Sequence, residues 1–439
     1  VFFNPTGHSV ASWRHPDADA DAGINFGHYA RITKTAEDAK LDFIFLADNI
    51  SVRSGHMDAV SRSAQYVANF EPLTLLAALS AVTSRIGLVA TASTSFNEPY
   101  HVARKFASLD HLSGGRAGWN LVTSGQEEEA LNFNRDSHYD HSERYKRARE
   151  FVEVVVGLWD SWDDDAFMRD KESGLFFDPQ KLHTLNHKGN YFAVRGPLNV
   201  PRSPQGRPVI VQAGGSPEMI EIASQYAEIV FCAPLTLEAG QAFYSELKGA
   251  MSSYDRHPDS LKIMPGLSPV IGRTESEAAE KYEELQSLVH PIVAREMLSM
   301  VLGGVDLSKY DFDGPLPEEV INFKTNASPY VFESAVNMAR QENLSIRQLA
   351  TKMAGARGKA VVVGTPQLIA DMMEEWLLGE AADGFNIMPP YLPGSLDDFV
   401  ELLLPELRKR GLFRTEYRGA TLRENLGLER PVSQYAKAH

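Results

Sequence analysis

Apolar and polar positions follow two alternating rhythms along this chain. Short β-branched or aromatic runs recur at Val1–Asn4, Asp42–Ala47, Ile86–Ala92, Ala117–Val122, Pro208–Gln212, Ile229–Ala233, Lys262–Ile271 and Gly384–Met388. Each is short enough to be a buried strand. Between them lie amphipathic stretches at Asn25–Lys40, Pro72–Ser84, Tyr100–Leu112, Ser142–Trp159, Pro217–Tyr226, Leu237–Tyr254, Glu275–Leu288 and Leu396–Arg410. In Ser142–Trp159 the apolar set Tyr145, Ala148, Val152, Val155, Val156 and Trp159 recurs at helical spacing and leaves Arg144, Arg147 and Glu150 for another face. Repeated βα units of this kind build a parallel sheet, and eight of them predict a closed (β/α)8 barrel of the α/β class.

Three excursions break the rhythm, at about 51–70, 160–207 and 289–359. Insertions of this length in a compact barrel serve as lids or contact surfaces. The whole chain, 1–439, reads as one barrel domain carrying them. Composition fits that reading: 43% hydrophobic and 23% charged residues suffice for a substantial core. A formal net charge of −15, without any Lys/Arg block, argues against a nucleic-acid partner. No run approaches a membrane span, and VFFNPTGHSV lacks the form of a signal peptide. With Cys232 as the only cysteine, no internal disulfide can form, so a cytoplasmic location is expected. The apolar run at the very start implies that residues precede Val1.

Barrel chemistry collects at the C-terminal ends of the strands. Polar residues there are Asp48 and Asn49, Thr91 to Asn97, Asn120 and Thr123, Ser216, and Asn386. Asp48 or Asn120 taken singly would be ordinary caps. Five polar strand ends with few acids or bases among them point instead to a cofactor held by hydrogen bonds. QAGGS (Gln212–Ser216) ends a strand and opens a helix, so its amides and the Ser216 hydroxyl suit one phosphate. Neither a dinucleotide nor a triphosphate fingerprint is present, which favours a mononucleotide. His141 and Tyr145 share a helix face in HSERY, although simple packing would explain them equally. His8, Trp13 and His15 follow the first strand. His183 and His187 have ligand-like spacing but no third partner, and no metal is expected.

The chain resembles the bacterial-luciferase-like flavin monooxygenases, in the group of the nitrilotriacetate, EDTA and dibenzothiophene-sulfone monooxygenases. The resemblance rests on SWRHP (Ser12–Pro16), DFIFLAD (Asp42–Asp48), EPYHVARKFASLDHLSGGRAGWNLVTS (Glu98–Ser124), HSERY (His141–Tyr145), GPLNVPRSPQGRPVIVQAG (Gly196–Gly214), ADGFNIMPPYLPGS (Ala382–Ser395) and PELRKRGLFRTEYRGATLRENLGL (Pro405–Leu428). It covers essentially the whole chain and looks nearest to the nitrilotriacetate/EDTA branch.

The resemblance implies FMN contacts at Asp48, Thr94, His141, Tyr145 and Ser216, with Ser216 at the phosphate. It also implies a separate NAD(P)H:FMN reductase that supplies FMNH2, O2 as co-substrate, a 4a-hydroperoxyflavin that transfers one oxygen atom, and a homodimer or homotetramer. His141 and His8 are the candidate proton donors to the peroxide. Relatives usually place a glycine shortly after the serine, whereas this chain has Pro217, Glu218 and Met219, so the Glu218 side chain is expected to point away from the phosphate. Arg53, His56 and Arg62 in the first excursion are candidate cations for a polycarboxylate substrate. An apolar lid would favour an aromatic or organosulfur compound. Two other readings compete: a deazaflavin-dependent hydride-transfer enzyme, which would consume no O2, and a non-catalytic flavin carrier, which would bind oxidised FMN without turnover.

Overall fold

A computed structural model describes residues 1–52, 55–322, 329–356 and 360–436. Its principal sheet has eight strands: β1 (Phe43–Leu46), β2 (Gly87–Ser93), β3 (Ala117–Val122), β4 (Val209–Ala213), β5 (Ile229–Cys232), β6 (Lys262–Ile271), β7 (Ala360–Gly364) and β8 (Asn386–Ile387). The order is β1-β2-β3-β4-β5-β6-β8, with β7 on the far half of the long β6, and every pairing is parallel. The first residues lie between the two ends of this path. Phe2 N–H donates to Ile387 O at 2.8 Å, and Phe3 N–H donates to Phe45 O at 3.0 Å.

Period-two alternation sorts the strand side chains onto two faces. Phe43, Phe45, Val89, Val209, Val211, Ile229 and Phe231 form one buried cluster together with Leu422 and Leu428. The alternate residues Leu88, Ala90, Trp119, Leu121 and Ile210 join a second, larger cluster with the helices. Those helices include α1 (Phe26–Asp38), α2 (Pro72–Ser80), α3 (Pro99–Ser113), α4 (His141–Trp159) and α5 (Pro217–Tyr226). Their starts are chemically set: Glu71 accepts from the Leu73 and Thr74 amides, Ser216 accepts from Met219 N, and proline occupies the first turn of both α2 and α5.

Leu422 seals the end of the inner cluster where the strands begin. A Cβ on Gly87 would collide with its side chain and with Phe43, so glycine makes room for this seal. The C-terminal segment is also fixed electrostatically. Arg423, 2% exposed, forms a bidentate pair with Glu228, 5% exposed, just before β5. Glu228 also accepts from Ile210 N at 3.0 Å. Burial alone would raise the Glu228 pKa, yet Arg423 and Arg207 hold it below the ordinary carboxylate range.

The excursions have their own anchors. In the second, a hairpin pairs His187–Lys188 with Ala193–Val194, and Glu150 on α4 accepts from the Asn190, Tyr191 and Phe192 amides and contacts His187 Nε2 at 3.1 Å. Asp164 of the acidic run pairs with Arg202 and Arg430, which lowers its pKa to about 2. The third is helical, and its Val293, Leu298, Leu349 and Met353 pack with Val10 and Ala11 of the loop after the first residues. No helix among the described residues is long and apolar enough to cross a membrane.

The structure differs from the sequence reading at the sheet's margins. The first predicted strand, Val1–Asn4, is reduced to a single bridge at Phe2, and Gly384–Met388 to the two residues of β8. In addition, β7 follows the third excursion where no strand was expected. Because Glu228 has no route to water, Arg423→Ala is expected to destabilise the fold by about 3 kcal/mol. Urea unfolding with an unchanged m-value would register this as a lower midpoint.

Candidate active site

Since the strands of the principal sheet are parallel, Asp48, Thr94, Ser124 and Ser216 all emerge at one rim, each just past a strand. Side chains bind these loops to one another. Asn49 Nδ2 reaches Gln126 Oε1 at 3.4 Å, and the Ile50 amide donates to Glu129 at 3.3 Å. The Ser124 and Ser93 hydroxyls meet at 2.7 Å, while Thr94, fully buried, bonds Val122 O through both its amide and its hydroxyl. From α4, Arg144 Nη1 donates to Ser124 O at 2.7 Å and Arg147 Nε to Thr94 O at 3.2 Å.

The arc continues from α4 to α5. The His141 and Tyr145 rings lie 4.9 Å apart, one helical turn from each other. His141 Nδ1 is 3.8 Å from the Glu218 carboxylate at the start of α5. The Glu218 carboxylate is held below its ordinary pKa by its own backbone N–H and the Ser216 hydroxyl, with His141 adding a smaller attraction. The rim therefore links the regions of Asp48, Thr94, His141, Tyr145 and Ser216 through successive contacts.

His8 lies on the first-strand side of the rim. Its ring is 4% exposed, with Nδ1 3.2 Å from Asn4 Nδ2, Nε2 3.0 Å from Phe2 O, and the ring edge against Phe2. His15 stacks on Tyr391 at 3.7 Å, and the Trp13 indole donates to Arg62 O. His183 bonds Asp163 at 2.8 Å, away from His187 and its partner Glu150. Among the described residues no group of three or more His, Cys, Asp or Glu is placed to hold a metal.

Two buried acceptors point to what the rim can receive. Asn120 is 2% exposed and Asn386 4% exposed, and neither side-chain oxygen has a partner. Asn120 Nδ2 donates to Thr91 Oγ1 at 2.9 Å, which fixes the amide and leaves the oxygen free. Asn120 alternates with Trp119 and Leu121 of the outer cluster, and Asn386 precedes the outward Ile387, so both belong to the inner face. Leaving such an acceptor unmet costs about 1–3 kcal/mol. A bound heterocycle with N–H groups would meet both, and an anionic tail would find Arg144, whose Nε is likewise shielded from water and unpartnered. The sequence reading had left Arg144 and Arg147 for a face other than the apolar one. Arg144 lies three residues after His141, a same-face spacing that was the available signal.

A cavity of about 420 Å³ lies between the first and third excursions, lined by Val10, Val60, Val67, Val293, Met297 and Met300, with Glu296 as its carboxylate. Of the cations expected there, Arg62 pairs with Asp58 at 2.9 Å, His56 is exposed, and Arg53 lies outside the described residues. The lid is thus mainly apolar.

Asp48 titrates near neutrality. Burial raises its pKa to about 6, Glu71 and Glu129 add repulsion, and the Asn49 amide opposes them. The folded state therefore holds this proton more tightly than the unfolded chain does. Its contribution to stability is complete below the unfolded value of 3.8 and is lost as pH rises through about 6. Asp48→Asn is expected to raise Tm at pH 7.5 and to raise it much less at pH 4.5, as scanning calorimetry at the two pH values would record.

A family model described as luciferase-like monooxygenase matches residues 6–379. The chain is 53% identical to N-acetyl-S-(2-succino)cysteine monooxygenase of Bacillus subtilis (strain 168), covering 100% of this chain and 98% of that protein. It is 51% identical to nitrilotriacetate monooxygenase component A of Aminobacter aminovorans, covering 99% and 97%. Among solved structures, EDTA monooxygenase from Chelativorans sp. BNC1 superposes with a TM-score of 0.78 at 36% identity, over 98% of this chain and 97% of that one.

Proposed function

The chain belongs to the luciferase-like monooxygenase family, and on that premise we propose that it is the oxygenase component of a two-component FMNH2-dependent monooxygenase. In this reading the whole chain is one closed (β/α)8 barrel domain with three insertions, a view supported by the first residues bonding to both ends of the strand path. The observation that carries the function is the rim itself. It combines the Ser216-capped start of α5, an Arg144 Nε shielded from water, and two buried amide oxygens without partners.

Reduced FMN, when bound, supplies the electrons that activate O2. The protein's task is to orient the flavin and keep water away. Ser216, Tyr145, His141 and Arg144 would hold the phosphate end, while Asp48, Thr94 and the free oxygens of Asn120 and Asn386 would hold the ring system. His141 is half exposed and is the rim histidine with an accessible proton. In His8 the Nε2 proton is committed to Phe2 O, so this residue would donate only after that bond breaks. The chain carries no dinucleotide fingerprint, which supports a separate NAD(P)H:FMN reductase as the source of FMNH2.

The apolar lid, with Arg62 already neutralised, favours an uncharged aromatic or organosulfur substrate over a polycarboxylate. With FMNH2 from any flavin reductase, O2 uptake coupled to product is expected for thioethers, sulfones or aromatics. Uptake without product across the whole panel would contradict the substrate reading, and no uptake at all would contradict the oxygenase. Arg144→Gln is expected to weaken FMN binding by roughly tenfold, the loss typical of one charge-assisted hydrogen bond, with riboflavin binding little changed. Fluorescence titration of both flavins would measure it.

A further inference from the structure

Thr94 is held by three bonds. Its amide and its hydroxyl both donate to Val122 O, at 2.8 and 3.2 Å, and its carbonyl accepts from Arg147 Nε at 3.2 Å. Because the hydroxyl proton is spent on Val122, the oxygen has only its lone pairs left for a ligand, and their direction follows the Thr94 backbone. The first two bonds come from the neighbouring strand β3. The third comes from α4, outside the sheet.

Arg147 is a half-buried cation that takes no carboxylate partner among the described residues. Its Nη2 donates to Asn97 O at 3.4 Å, and its guanidinium carbon lies 4.4 Å from the centre of the Phe192 ring and 5.7 Å from that of Tyr139. A planar guanidinium can stack on an aromatic face while its edge donates to carbonyls, a combination an ammonium cannot reproduce. Phe192 is 6% exposed and lies in the hairpin of the second excursion. That hairpin is tied to α4. Glu150, three residues after Arg147, accepts from the Asn190, Tyr191 and Phe192 amides, and the Phe192 ring meets Phe151 edge-on at 5.5 Å. One stretch of α4 thus carries a continuous link from the second excursion to the loop after β2.

We propose that Arg147 is a positioning residue for the ring end of the flavin site: it fixes Thr94 through the Thr94 carbonyl and is itself seated by Phe192. The second excursion thereby sets the geometry of the site without touching the cofactor. The inference rests on the reading above that Thr94 faces the flavin ring system.

The test titrates wild type, Arg147→Ala, Arg147→Lys and Phe192→Leu anaerobically with FMNH2, FMN and riboflavin. Loss of one charge-assisted hydrogen bond predicts roughly tenfold weaker binding by Arg147→Ala. Riboflavin should weaken by the same factor as FMN, because Thr94 serves the ring and not the phosphate. Arg147→Lys keeps the charge and most of the stem, and it covers the case of an alanine variant that does not fold. It should bind both flavins as weakly as the alanine variant, for want of the planar fork. Phe192→Leu should weaken both flavins roughly two- to fivefold, the share of one cation–π contact. A cavity of about 610 Å³, whose walls include Arg147, Arg135 and the exposed Lys105, gives a small cation access to the vacated position. Added ethylguanidinium should therefore restore flavin binding to Arg147→Ala, and ethylammonium should not. Wild-type affinity in both Arg147 variants would overturn the proposal, as would a loss confined to the phosphorylated flavins or one that ethylguanidinium leaves unrepaired. If wild type binds the flavins in those cases, the flavin reading stands and only the role of Arg147 is lost. If wild type binds none of them, both fall.

Discussion

Common strand direction is the constraint from which the rest of this molecule follows. Every pairing in the principal sheet is parallel, so each strand must be reached by a crossover, and every crossover starts from the same edge. Residues far apart in sequence, such as Asp48, Thr94, Ser124 and Ser216, therefore share one rim without any need for long-range pairing signals between them. The opposite edge is left for closure, and Leu422, Leu428 and Arg423 provide it. One edge is specialised for binding and the other for stability, the division expected of βα barrels.

Within the rim, the polar groups divide by how much bonding capacity they have left. Ser93, Ser124 and Thr94 spend theirs on neighbouring loops and make the rim rigid. Asn120, Asn386 and Arg144 retain unsatisfied atoms in places water does not reach, which is costly in a structure with no function to serve. A cofactor held by hydrogen bonds suits this mixture of fixed walls and unmet acceptors.

Much of the framework was legible before any coordinates. Short continuous apolar runs located β1 to β6, because a parallel strand buried on both faces is nearly continuous in apolar residues. The strand-end rule singled out Asp48, Asn120, Ser216 and Asn386, each of which lies within or just past a strand. What escaped depended on partners distant in sequence. β7, the β-branched run Ala360–Gly364, was passed over because it directly follows the third excursion, and it pairs with the second half of the ten-residue β6. Arg144 reads as an ordinary solvated residue on an amphipathic helix until Ser124 is seen beneath it. The apolar character of the lid likewise required knowing that Arg62 spends its charge on Asp58.

The pairing of Arg423 with Glu228 also bears on when the molecule becomes complete during its manufacture. The two residues are separated by 195 positions. At ordinary elongation speeds Glu228 leaves the ribosome roughly 10–40 s before its arginine exists. Throughout that interval the carboxylate has the charge of Arg207 nearby but lacks the arginine that binds both its oxygens, and the hydrophobic interior above it has no lid from below. This end of the inner cluster must therefore stay open until the short helix Leu422–Asn425 has been made.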